Sequence, residues 1–280
     1  MTAALALGFS VPLYELGWFA VTSDLYSYIL LIPFISLYLV WQKWKKLPSF
    51  SGAAAWPAAA FFLGGLAVLA GYALVRHAQP GMAEDDYLAF MMAAFVLLLA
   101  GGCCWFLGGE IARALAFPVG FLIFIIPMPA FLLRDVESFL QTGSAMAADV
   151  FFRLSGMTFL RDGLVFHLPT INLEVAPECS GIHSSLVLFI TSALAGHLFL
   201  RSPWKRAALI LVVLPLALLR NGFRVYVIGE LCTHIGPQMI DSPIHHKGGP
   251  LFFALSLVPF FLLLYFLRRA ERAVQIKTAR

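Results

Sequence analysis

Residues 177–185 read Pro-Glu-Cys-Ser-Gly-Ile-His-Ser-Ser. They put a thiol (Cys179), a carboxylate (Glu178), an imidazole (His183) and three hydroxyls (Ser180, Ser184, Ser185) in one short stretch. A long apolar run follows at once, and polar groups beside lipid are costly unless they serve a function. A lone cysteine in a membrane helix is ordinarily an inert thiol; the polar company of Cys179 favours a nucleophile. Cys179 also stands just before a helix start, followed by Ser180 and Gly181, where free backbone N–H groups favour a thiolate and can bind an oxyanion. Two further polar groups lie downstream at the same expected depth: Arg220-Asn221 with Arg224, and His245-His246. Arg220 and Arg224 share a helix face. An arginine at that depth needs an anion or carbonyl partner, which could be a structural ion pair with Glu178 or Glu230, or a scissile carbonyl. A histidine can take a nucleophile's proton and return it to a leaving group. His245 and His246 are candidates, or simply a solvated loop pair. His183, four residues after Cys179, is a rival base. Cys179 with His183 could also hold zinc, but a third and fourth ligand are not evident, so neither metal nor cofactor is expected.

These groups sit in a chain of 280 residues that is 61% hydrophobic and only 12% charged, with mean hydropathy +0.87. Soluble domains carry about 25% charged residues, so an all-α polytopic membrane protein is expected. The net charge of +4 does not suggest nucleic acid, because the basic residues cluster between apolar runs as topology signals do. The four cysteines show no CxxC pair. Cys103 and Cys104 lie inside an apolar run, and Cys232 and His234 are weak site candidates in a downstream loop.

A helical span needs about 20 mostly apolar residues. Eight candidates are found, at 4–21, 25–41, 53–75, 87–107, 111–133, 181–200, 207–229 and 250–267. The first reads as a retained span rather than a signal peptide. The organisation is one integral-membrane domain over 1–280: N-terminal spans to 133, an extracytoplasmic segment over 134–178, and catalytic spans with a basic tail over 179–280. Within 134–178, residues 134–154 read as an amphipathic helix at the interface. Asp162-Gly163 amid alternating apolar residues reads as a small β-ribbon before the sixth span. Lys43, Lys45, Lys46, Arg201, Lys205, Arg206 and the tail's Arg268, Arg269, Arg272, Lys277 and Arg280 all fall on one side of an eight-span arrangement. The positive-inside rule makes that side cytoplasmic. Both termini are then cytoplasmic, and Cys179, Arg224 and His245 converge near the extracytoplasmic face.

The ordered set formed by residues 178–182 (Glu-Cys-Ser-Gly-Ile), residues 220–224 (Arg-Asn-Gly-Phe-Arg), and a histidine four residues before Gly249 resembles the exosortase/archaeosortase family of membrane transpeptidases. Residues 23–28, 32–33 and 38–41 also resemble that family's N-terminal spans, although Ser27-Tyr28 stands where the family often has Ser-His. The resemblance covers most of the chain. It implies Cys179, Arg224 and His245 as the catalytic set; His246 is the alternative to His245. It also implies a cysteine protease of sorting type in the cell inner membrane, similar to sortase in chemistry but not in fold. Its partners would be exported proteins ending in a short PEP-CTERM-like motif, a transmembrane helix and a basic tail, which it would process through a thioacyl-enzyme. The rival classes are a polyprenyl-phosphate hydrolase or transferase built on Arg220, Arg224 and His245, a transporter, and a structural membrane subunit.

Overall fold

The computed structural model describes residues 2–50, 52–78, 81–176, 180–242, 244 and 248–278. The chain divides into two compact units, Met1–Leu133 and Arg134–Arg280.

The first unit opens with α1 (Thr2–Gly8) and α2 (Ser10–Thr22), separated at Phe9. Pro12 accounts for the break: it has no N–H for the Gly8 carbonyl, and its ring crowds that carbonyl. Next, a 3-10 turn over Ser27–Leu31 leads into α3 (Ile32–Trp44), where Pro33 sits in the first turn, a position that suits proline. Each of these helices is shorter than a span requires. The centre of the unit is the hairpin of α4 (Ala55–Ala78) and α5 (Glu84–Phe106). Small residues let the two backbones approach. A Cβ on Gly65 would lie 2.8 Å from Leu98 Cγ, and one on Gly101 would lie 3.0 Å from the Phe62 ring. Only 11% of the most apolar window of α4 is buried, against 56% for α5, so α5 forms the core and α4 faces lipid. Glu84, Asp85 and Asp86 open α5, where the helix dipole favours anions. After α6 (Gly109–Ala114) and α7 (Ala116–Phe121), the run is cut before Pro127 and Pro129. Ile126 is extended there, as a residue before proline tends to be.

α8 (Ala130–Ser155) carries the chain into the second unit. It buries Leu140, Ser144, Ala145, Ala148 and Phe152. Three short antiparallel strands follow, β1 (Leu160–Asp162), β2 (Val165–His167) and β3 (Asn172–Glu174), paired in that order. Gly163, at φ +59°, turns β1 into β2. The unit continues with α9 (Ile182–Phe199), α10 (Pro203–Leu211), α11 (Val213–His234), a 3-10 turn over Pro237–Asp241 and α12 (Gly249–Thr278). Two apolar clusters hold it together. One joins Phe152 of α8, Phe166 and Leu173 of the sheet, and Val225, Ile228 and Cys232 of α11. The other joins Leu188 of α9, Leu209 of α10, Val213 of α11, and Phe260 and Leu264 of α12.

Among the described residues, five helical segments are long and apolar enough to span a membrane: α4, α5, α9, α10 with α11, and α12. The bent pair Ala116–Ile125 and Ala130–Ser155 would make a sixth. The expected eight are therefore not reached among the described residues. Prolines break the expected first and fifth spans into short pieces, and the second is divided where the 3-10 turn Ser27–Leu31 gives way to α3. Residues 134–154 belong to the longer α8, one side of which is packed on α11. The expected loop after residue 229 begins later, because α11 continues to His234.

Candidate functional site

The site is built where the start of α9 meets the middle of α11. Gly181 caps α9 in the left-handed conformation, at φ +72°. Its carbonyl is a hub. It accepts from the backbone N–H of Ser185 at 3.0 Å, from Ser185 Oγ at 2.7 Å, from Ser184 Oγ at 3.0 Å, and from Arg220 Nη2 at 3.2 Å. Arg220 Nη2 also reaches Ser185 Oγ, at 3.3 Å. A Cβ on Gly181 would lie 2.9 Å from Arg220 Nη2 and 3.1 Å from Asn221 Oδ1. The turn thus rests directly on the Arg220 and Asn221 side chains.

Asn221 in turn donates through Nδ2 to Ser144 Oγ of α8 at 3.0 Å, with both residues buried. On the N-terminal side, Val175 donates to the Leu164 carbonyl at 3.0 Å, and its own carbonyl accepts from Gln141 Nε2 of α8 at 3.0 Å. Val175 is therefore tied to α8 and the sheet, and Gly181 to α11. Ser180 is buried, and its Oγ accepts from Ile182 N–H at 3.4 Å.

Among the sequence candidates, Ser180, Gly181, Arg220 and Asn221 come together here. Arg220 is 7% exposed, and its Nη1 has no hydrogen-bond partner among the described residues. Arg224 is half-buried one helical turn further along α11. His183 is exposed on the first turn of α9. Glu178, Cys179, His245 and His246 lie outside the described residues. The carboxylate of Glu230 meets His234 Nε2 at 3.0 Å. Cys232 and His234 belong to α11, not to a loop. The Cys232 thiol is wholly enclosed in the apolar cluster with Phe152 and Phe166, as an inert packing group is.

Sequence reasoning misses Ser144 and Gln141. They sit three residues apart on one face of α8, but a face that also carries Glu137 and Ser138 gives neither of them a signal of its own.

The family comparison bears on the same residues. The model of the transmembrane exosortase family (Exosortase_EpsH) matches residues 18–262, well over half of the chain. The chain belongs to the transmembrane exosortase family. Neither the curated proteins nor the solved structures give a match. Membership suggests a membrane protease or transpeptidase that acts on exported proteins with sorting signals. The matched region takes in the whole arrangement around Gly181, Arg220 and Asn221, together with residues 177–179 and 245–247.

Proposed function

We propose that the protein is a membrane cysteine transpeptidase or protease that cleaves the C-terminal sorting signal of exported proteins. The observation that carries this reading is the clamp of Arg220 and Asn221 on Gly181, two residues beyond Cys179, inside an exosortase-family match. An enzyme that must present a nucleophile in a fixed direction needs its loop anchored at both ends. Val175 and Gly181 are anchored in that way.

In the proposed reaction the Cys179 thiolate attacks a peptide carbonyl of the sorting signal. Arg224 and the N–H groups at the start of α9 stabilise the oxyanion. His245, with His246 as the alternative, takes the thiol proton and delivers it to the departing amine nitrogen as the C–N bond breaks. The acyl group is then held as a thioester until an amine or water displaces the thiolate. Arg220 acts as a positioning residue for the Cys179 loop. The site faces the extracytoplasmic side of the inner membrane, both termini are cytoplasmic, and the substrate's own anchor helix and basic tail dock alongside.

The test is intact-mass analysis of the enzyme co-expressed with exported proteins that end in a motif, a helix and a basic tail. Wild type is expected to give an acyl adduct on Cys179 or cleaved substrate. Cys179→Ala and Cys179→Ser insert normally but leave substrate intact. Normal processing by both variants would sink the mechanism.

A further inference from the structure

At the other end of α9 lies a second polar site. A cavity of about 290 Å³ is lined by Phe199, Arg201, Arg206, Arg268, Glu271 and Arg272 among others. α9 has 18 residues, or about 27 Å at 1.5 Å per residue. The cavity is therefore about one hydrocarbon thickness from Gly181.

Its charge is lopsided, with four guanidiniums against one carboxylate. That carboxylate is already engaged: Glu271 accepts from the backbone N–H groups of Arg201 at 3.0 Å and Ser202 at 2.9 Å, so it caps the start of α10. Two of the arginines are fixed by the fold. Arg206 Nε donates to the Leu200 carbonyl at 2.9 Å, and the Arg268 guanidinium lies 5.3 Å from the centre of the Phe199 ring. Among the described residues none of the four forms an ion pair with a carboxylate. Preplaced, weakly hydrated guanidiniums are suited to gripping phosphate oxygens in pairs.

We propose that this cavity binds the phosphate headgroup of an anionic membrane lipid. The shared chemistry is a phosphate anion, and the surroundings favour the lipid as its source. The cavity opens where α9 and α12 end their apolar runs, and Leu198 and Phe199 on its rim are 39% and 44% exposed. A headgroup lodged among the arginines would leave its acyl chains along those apolar flanks. Basic pockets between spans bind anionic headgroups in this way. A cationic peptide tail would be repelled. The inference does not depend on the chemistry proposed for Cys179.

The experiment is thermal melting of the full chain in neutral detergent with added phosphatidylglycerol, phosphatidylcholine or inorganic phosphate. Phosphatidylglycerol at saturation is expected to raise Tm by about 5 °C, and the other two to leave it unchanged. The double variant Arg201→Gln with Arg272→Gln changes two exposed side chains; its lipid-dependent rise is expected to fall to less than half. An equal rise with phosphatidylcholine, or a full rise in the double variant, overturns the proposal. An equal rise with inorganic phosphate overturns the lipid assignment in favour of a free-anion site. Should the double variant melt lower without lipid, the number of phosphatidylglycerol molecules retained in native mass spectrometry by Arg201→Gln alone decides instead: fewer than wild type supports the proposal, an equal number overturns it.

Discussion

Gly181 is the position where backbone and site chemistry are most tightly bound together. Its φ of +72° is open to glycine, and the place of its missing Cβ is taken by Arg220 and Asn221. Gly181→Ala must therefore bear about 1–2 kcal/mol of left-handed strain and also push Arg220 off the turn. Membrane insertion should survive, while initial rates of substrate cleavage fall at least about tenfold; an unchanged rate would remove the turn from the mechanism. Arg220→Lys keeps the charge but removes the planar guanidinium whose Nη2 meets both the Gly181 carbonyl and Ser185 Oγ. A charge-assisted bond is worth about 1.5–3 kcal/mol, so kcat should drop about 10- to 150-fold. As a positioning effect it should leave KM nearly unchanged, and a rise in KM with normal kcat would assign Arg220 to substrate binding instead. At this scale the sequence reveals which residues are polar in an apolar setting. Arg220 and Asn221 stand out as polar residues in a hydrophobic run, but their seat beneath Gly181, 39 positions away, exists only once α9 and α11 have packed. Ser144 is harder still to read, because an isolated serine in a Gly-Ser-Ala stretch is ordinary helix material until Asn221 is seen to bind it.

Among the elements, α8 and α11 decide whether the site is assembled. Their contact is a seam of small residues. A Cβ on Gly143 would lie 2.7 Å from Leu218 Cδ2, one on Gly222 would lie 2.5 Å from Ala147 Cβ, and one on Gly229 would lie 2.6 Å from the Phe152 ring. Backbones this close leave no room for a branched side chain. Gly222→Val should part the helices, lower Tm in detergent by several degrees and abolish cleavage. Gly120→Ala, with open space around it, should do neither. Equal behaviour of the two variants would mean that the seam contributes nothing. The buried Asn221–Ser144 hydrogen bond crosses the same seam. A double-mutant cycle with Asn221→Ala and Ser144→Ala should give a coupling of about 0.6 kcal/mol, the average for such bonds between membrane helices; zero coupling would show that the seam holds without it. Helix packing of this kind is hidden from hydropathy. The apolar runs behind α4, α5, α9 and α12 are conspicuous, whereas α8 mixes polar and small residues that read as an amphipathic surface helix. The proline breaks are visible as residues, yet where each divides a span depends on which carbonyl is left without its amide, as Gly8 is by Pro12.

For the molecule as a whole, the depth of the site follows from helix lengths in the second unit. α9 is about 27 Å long, which matches the hydrocarbon core of roughly 30 Å. The segment of α10 and α11 has 32 residues, or about 48 Å, so it exceeds that core by several turns. Its start is tied to the end of the apolar run of α12 through Lys205 Nζ, which donates to the Leu267 carbonyl at 3.2 Å. The surplus length therefore lies at the His234 end, beyond Arg220. That end is clothed by Phe152 and the three strands rather than by lipid-facing helices. In the proposed arrangement Arg220 marks the level at which α11 leaves the hydrocarbon, and Arg224 stands one turn further out, among headgroups, where an arginine is far less costly than at the midplane. The proposed orientation rests on the two ends of these helices. Arg201, Lys205, Arg206, Arg268, Arg269 and Arg272 gather at the opposite end, and such clusters stay in the cytoplasm. A green fluorescent protein fused after Arg280 should fluoresce, and alkaline phosphatase inserted at Gly163 should be active. An inactive phosphatase with a dark C-terminal fusion would invert the protein, put Cys179 in the cytoplasm and separate it from any exported substrate. Among the described residues the candidate spans after Gly163 are three, α9, α10 with α11, and α12, so the fusion test holds whatever number of spans precedes Gly163.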